Sequence, residues 1–218
     1  MIELSERSYA AFLFDMDGTL LTSIASAERV WSRWAERHGL DVATFLPTIH
    51  GIRSADTIRN LALPGVDPEA EALAITLEEI EDVSDVRPIP GAEAFVRALP
   101  DGRWAIVTSA PRNLAIARIR AAGLPIPPVL VCAEDVAQGK PAPDGYIQAA
   151  GQLGFRSHHC LVFEDAPAGI QAGEAAGADV LVITETHAKA MADIRISARN
   201  YERLQVAETE AGLRFRRA

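Results

Sequence analysis

The chain has 218 residues, of which 49% are hydrophobic and 23% charged, with a formal net charge of −9. The hydrophobic share excludes an intrinsically disordered protein. The acidic surplus argues against a nucleic-acid partner, because phosphate backbones are held by clustered cations.

Residues 1–10 carry Glu3, Glu6 and Arg7 where a secretory signal needs an apolar run. The longest uncharged stretch, 121–133, is too short for a membrane span and holds Pro125, Pro127 and Pro128. A cytoplasmic protein without a membrane partner is therefore expected. From residue 11 the chain alternates short apolar runs with helical patterns. The runs at 11–17, 103–108, 129–132, 160–164 and 179–183 have the length and flanks of buried strands. Helical stretches are predicted at 91–99, 111–122, 144–153 and 168–176, and Gly102, Gly123, Gly154 and Gly177 fall where helices should stop. This alternation predicts an α/β fold, a parallel sheet with helices on both faces.

The interval from Thr22 to Arg87 breaks the rhythm and reads as an inserted helical unit. A helix over 26–38 places Val30, Trp31, Trp34 and Ala35 on one face, as core rather than as ligand contacts. Asp67-Pro68 reads as an N-cap followed by proline at the first helical position, and Ala70, Leu73, Leu77 and Ile80 then recur at helical spacing as the expected apolar face. Arg87-Pro88-Ile89-Pro90-Gly91 is a stiff return to the core. After Ile183 the pattern weakens; Gln205-Val206 and Leu213-Arg214-Phe215 are expected to form a terminal hairpin, and Arg214, Arg216 and Arg217 a solvated tail. Cys132 and Cys160 lie in apolar, strand-like contexts that suit buried, reduced thiols.

Four segments carry chemistry. Phe12-Leu13-Phe14-Asp15-Met16-Asp17-Gly18-Thr19 delivers two carboxylates from a strand end into a turn that Gly18 allows to bend sharply. Val107-Thr108-Ser109, Gly139-Lys140-Pro141 and Phe163-Glu164-Asp165 follow, each at or just beyond a predicted strand's end, where open α/β sheets build ligand sites. Taken singly, Asp15-Met16-Asp17-Gly18-Thr19 could be a plain turn and Lys140 a surface lysine. Glu164-Asp165 could likewise only cap the helix after Pro167, and Ser109 has a compatible second role as a helix N-cap ahead of Pro111.

In this order the four segments resemble the motifs of the haloacid dehalogenase superfamily of phosphatases, over residues 12–183. The resemblance implies a Rossmann-like core, residues 1–21 and 88–218, and a helical cap of type C1, residues 22–87. It implies that Asp15 is the nucleophile and that Asp17 is the general acid and base. Lys140 would hold nucleophile and phosphoryl charge, and Ser109 would bond a phosphoryl oxygen. The cofactor it implies is Mg²⁺, bound by Asp15, the Asp17 carbonyl and Asp165, with Glu164 either a further ligand or a support for Asp165. Asp17 speaks for phosphoryl transfer over dehalogenation, since a halide needs no proton to leave. The lysine-free interval 22–87 speaks against phosphonoacetaldehyde hydrolysis, which needs a cap lysine. His50-Gly51-Ile52-Arg53, together with Ser109-Ala110 and Lys140, resembles the group that hydrolyses sugar and polyol phosphates, among them deoxyglucose-6-phosphate and glycerol-3-phosphate. His50, Arg53, Ser109, Ala110 and Lys140 are thus the candidate substrate contacts of a monomer, with the alternative that His50 and Arg53 only pin the insert to the core. The competing reading is a β-phosphoglucomutase, but Ala27 stands where that relative has a cap histidine. A non-catalytic binding or regulatory protein on the same fold is the alternative from another class.

Overall fold

In a computed structural model the described residues are 7–187 and 196–216. Strand β1 (Ser8–Tyr9) precedes β2 (Phe12–Phe14), whose residues are wholly buried. Alternation along β2 sends Phe12 and Phe14 to one face of the sheet and Leu13 to the other. The first face collects an aromatic cluster in which Phe14 stacks on Phe163 with ring centroids 4.4 Å apart. Beyond β2, β3 (Leu21–Thr22) opens the insert and β4 (Arg87–Pro88) closes it, and the two pair antiparallel.

The insert contains α1 (Ile24–Arg37), α2 (Val42–Phe45), α3 (Ser54–Leu61) and α4 (Pro68–Glu81). They enclose a separate apolar cluster around Val30, Trp31, Trp34, Phe45, Ile58 and Ile75. Trp34 is fully buried, and its Nε1 donates to Glu71 Oε2 at 2.8 Å. Asp67 caps α4 as expected, accepting from the backbone N–H groups of Glu69 and Ala70. The apolar face of α4 is not the predicted one. Leu73 and Leu77 are 58% and 53% exposed, while Ile75, Thr76 and Glu79 are buried. The helix carries two adjacent stripes, and the one holding a glutamate turns inward because it faces a buried arginine of the core, Arg118.

The core continues through α5 (Ala92–Arg97), β5 (Trp104–Val107), α6 (Arg112–Ala121), β6 (Val129–Val131), α7 (Asp144–Gln152), β7 (Leu161–Glu164), α8 (Pro167–Ala175), β8 (Asp179–Ile183) and β9 (Ser197–Ala198). Six strands form one sheet in the order β6-β5-β2-β7-β8-β9, with every pairing parallel. The chain runs outward from β2 to β5 and β6, then crosses back to β7 on the other side of β2. The carboxyl end of β2 is therefore the switch point at which such sheets bind ligands. The predicted hairpin forms from β10 (Val206–Thr209) and β11 (Gly212–Phe215), and β1 joins it as a third strand. Arg214 consequently lies in a strand, and Arg216 N–H donates to the Gln205 carbonyl, so neither belongs to a free tail. Arg217 lies outside the described residues. No helix among the described residues is long and apolar enough to cross a membrane.

Both cysteines are free and fully buried, and burial pushes the Cys132 thiol up to about 12 and the Cys160 thiol up to about 11. Since the thiolate is the reactive form, iodoacetamide at about pH 8 should label neither in the folded protein and both in denaturant, as mass spectrometry would read. The stripe assignment on α4 has its own test by urea denaturation. Ile75→Ala should cost about 2–5 kcal/mol and Leu77→Ala about 0.5 kcal/mol or less; equal losses would return Leu77 to the core.

Candidate active site

Asp15 follows β2 directly, and its N–H still bonds to the Phe163 carbonyl at 2.9 Å, so the strand's pairing fixes the residue's direction. Its side chain is 8% exposed. Lys140 Nζ donates to Asp15 Oδ1 at 2.5 Å and to Glu164 Oε1 at 2.6 Å. Glu164, at the end of the neighbouring strand β7, is fully buried. Its Oε1 also accepts from the Tyr146 hydroxyl at 3.0 Å, and its Oε2 accepts the N–H groups of Asp165 and Ala166. Both of its oxygens are thus engaged, and the backbone of the Asp165 turn hangs on one of them. Asp165 itself accepts from Thr19 Oγ1 at 3.2 Å.

Two glycines make this packing possible. Gly18 has φ +90, and a Cβ there would overlap the Asp165 carboxylate. Gly169, on α8, lies against Glu164 so closely that a Cβ would overlap its carboxylate too.

Carboxylate oxygens of Asp15, Glu164 and Asp165 all lie within 4.8 Å of one another, beside a single ammonium. Burial, reinforced by the charge of Glu164, pushes the Asp15 carboxyl up to about 7 despite Lys140. Burial, reinforced by the charges of Glu164 and Asp15, raises Asp165 well above the usual carboxylate range. Burial alone would lower the Lys140 ammonium, but the charges of Asp15 and Glu164 outweigh it and hold its pKa well above the ordinary lysine value. The cluster is short of positive charge, which makes it a candidate for a hard cation with oxygen ligands.

Asp17 sits one turn on, partly exposed. Its Oδ1 accepts from Ser23 Oγ at 2.6 Å and from Arg118 Nη1 at 3.0 Å, while Oδ2 receives no hydrogen bond among the described residues. Asp15, Asp17, Thr108, Ser109, Ala110 and His50 line one chamber under the insert, with about 580 Å³ of empty space including its open mouth. His50 is exposed at its rim and makes no hydrogen bond among the described residues.

Three side-chain placements bear on the alternatives left open by the sequence. Ser109 does not cap α6, whose N-cap is Pro111 without a side-chain bond; the Ser109 hydroxyl donates instead to the Gly51 carbonyl of the insert at 3.0 Å. Arg53 spends its fork on the core loop, Nη2 donating to the Val136 carbonyl at 2.8 Å and Nη1 to that of Ala137 at 3.3 Å. In this geometry Arg53 pins the insert to the core. Glu164-Asp165 do not cap α8, whose N-cap is Ala166.

The haloacid dehalogenase-like hydrolase family matches residues 9–177. The chain belongs to that family. Hexitol phosphatase A of Escherichia coli (strain K12) is 43% identical over 176 residues, covering 79% of this hydrolase and 82% of the relative. 2-deoxyglucose-6-phosphate phosphatase 2 of Saccharomyces cerevisiae is 33% identical over 203 residues, covering 82% and 81%. Among solved structures, a putative beta-phosphoglucomutase from Thermotoga maritima superposes with a TM-score of 0.59 at 26% identity, covering 85% of the hydrolase and 88% of that chain.

Sequence reasoning passed over four residues of the hydrolase's site. Thr108, nearly buried directly after β5, accepts the Ala110 N–H at 3.1 Å, and its hydroxyl proton remains free to donate. Tyr146 supports Glu164. Arg118 and Glu79 are the lone charged residues of buried helix stripes, Leu114-Ala115-Arg118-Ile119 and Ile75-Thr76-Glu79. A lone charge inside such a stripe was the available signal.

Glu164→Ala would remove the acceptor of four donors and leave Lys140 with one carboxylate partner. Breaking a buried ion pair by deleting one member costs about 3–5 kcal/mol, so urea denaturation of this variant should show a loss of that order. A loss under about 1 kcal/mol, the scale of an exposed pair, would mean that Glu164 does not hold the turn.

Proposed function

We propose that this hydrolase is a Mg²⁺-dependent phosphatase of small sugar or polyol phosphate monoesters that works through an aspartyl-phosphate on Asp15. The observation that carries the reading is the pairing of a buried, lysine-held carboxylate, Asp15, with a second carboxylate, Asp17, facing the same chamber. The names of the relatives, a hexitol phosphatase and a deoxyglucose-6-phosphate phosphatase, support the substrate class.

In the first half-reaction the Asp15 carboxylate attacks phosphorus, the bond from phosphorus to the ester oxygen breaks, and Asp17 gives its proton to the departing alkoxide. In the second, Asp17 takes a proton from water, whose oxygen attacks phosphorus and frees Asp15 and inorganic phosphate. Ser23 and Arg118 fix Oδ1 of Asp17, so that Oδ2 is the oxygen that carries the proton. Lys140 holds Asp15 in line and screens the approach of the phosphate anion. Thr108 and the Ser109-Ala110 turn donate to phosphoryl oxygens, with the Ser109 hydroxyl exchanging its Gly51 partner for substrate. Asp15, Asp165 and the Asp17 carbonyl would hold Mg²⁺, which when bound supplies the positive charge that this cluster and a phosphate dianion together lack. Glu164, with both oxygens occupied, positions Lys140 and Asp165 instead of binding the ion. The insert, residues 22–87, serves as the lid that excludes bulk water. Ala27 lines the chamber with only a methyl group, which favours release to water over retention for transfer.

A phosphate-release screen over hexose, hexitol, glycerol, glycolate and nucleotide phosphates tests the class. Activity should require Mg²⁺, disappear with EDTA and favour sugar or polyol esters; a preference for nucleotides would sink the substrate reading. Asp15→Asn should lower turnover by at least about a thousandfold with the fold retained, because an amide is a poor nucleophile. Asp17→Asn should slow phosphorylation more for alkyl than for aryl esters, whose leaving oxygen needs less protonation. Activity of Asp15→Asn within about tenfold of wild type would exclude the aspartyl-phosphate route.

A further inference from the structure

Arg118 and Glu79 meet beneath the insert from opposite sides. Arg118 is on the core helix α6 and 5% exposed; Glu79 is on α4 and 3% exposed. Both line the chamber that holds Asp15 and Asp17. Arg118 Nη2 lies 3.2 Å from Glu79 Oε1, an ion pair whose alignment does not make a hydrogen bond. Nε and Nη2 of Arg118 have no hydrogen-bond acceptor among the described residues, although both atoms are buried. Glu79 makes no hydrogen bond to any other described side chain.

As an anchor for the insert this arrangement is poor. Buried ion pairs seldom stabilise more than an apolar pair of the same size, and buried donors without acceptors carry a desolvation cost. A charged pair of this kind, with spare donors and acceptors in a chamber next to the reacting groups, suits a polar ligand better than it suits packing. Its place also names the part of the ligand. Nη1 of Arg118 is bonded to Asp17, the residue that protonates the leaving oxygen, so the pair faces the carbon chain that departs and not the phosphoryl group.

We infer that Glu79 and Arg118 form a clamp that reads hydroxyl groups on the leaving alcohol, Arg118 donating to hydroxyl oxygens and Glu79 accepting from hydroxyl protons. This inference rests on the phosphatase reading above. It makes both residues determinants of specificity for polyhydroxylated esters over plain alkyl esters, because a site built to bond hydroxyls is left unsatisfied by an analogue without them.

The test compares glycerol 3-phosphate with n-propyl phosphate, which share a three-carbon chain and differ in hydroxyls, using the full-length Mg²⁺-loaded enzyme. Wild type should prefer the glycerol ester in kcat/KM by at least about tenfold. Glu79→Leu and Arg118→Met should shrink that ratio by about tenfold or more, and Glu79→Gln, which still offers an acceptor oxygen, should keep part of it. Both leaving groups are primary alkoxides of similar basicity, so a disturbance of the general acid lowers both rates and changes their ratio far less than loss of a hydroxyl contact. Equal losses for the two esters, or a wild type without preference between them, would overturn the clamp while leaving the phosphatase intact. Failure of wild type to release phosphate from any sugar or polyol ester would overturn the phosphatase reading itself. Should either large substitution unfold the protein in a thermal melt, the Glu79→Gln ratio decides alone: an unchanged preference together with lower rates on both esters speaks against the clamp.

Discussion

One ammonium group joins the ends of two neighbouring strands. Lys140 Nζ reaches Asp15 after β2 and Glu164 at the end of β7, and all three side chains are removed from water. Two carboxylates at that spacing repel, and burial pushes Asp15 toward its neutral form. The lysine opposes both effects, and Tyr146 and two backbone N–H groups complete the hydrogen bonds of Glu164. The strand order that puts β7 beside β2 and the glycines at 18 and 169 follow from the same requirement: the carboxylates must come close with nothing wider than a hydrogen atom between them and the backbone.

Against this rigid floor the insert is held by polar contacts that span the gap. Ser109 reaches Gly51, and Arg53 reaches the carbonyls of Val136 and Ala137. Single polar contacts at a partly wet boundary are modest in net strength, which fits the lid role proposed for the insert. The insert also encloses an apolar cluster of its own around Trp34 and Ile75.

The chemical floor was legible in the sequence because strand-end motifs combine two strong signals, an apolar run and an abrupt polar residue. Asp15, Lys140, Glu164 and Asp165 all come together near the carboxyl ends of parallel strands, as their spacing predicts. The roof was less legible. On α4 both stripes contain apolar residues, and the pattern rule favours the leucines, yet a buried partner on another helix turned Glu79 inward. Arg53 illustrates the same limit: its sequence neighbours suggest a binding loop, but its fork is taken by carbonyls more than eighty positions away. Contacts across the insert boundary depend on tertiary geometry that no local period encodes.

The short ribbon of Leu21–Thr22 against Arg87–Pro88 brings the two ends of the insert side by side. Paired strands lie about 4.8 Å apart, so the core presents a fixed gate whatever chain is strung between its posts. The entropy of closing that loop grows only slowly with its length. Lengthening, shortening or replacing the excursion would thus leave the catalytic floor in register. Descent within such a family can change which alcohol is accepted by rewriting the roof while the phosphate chemistry is inherited unaltered.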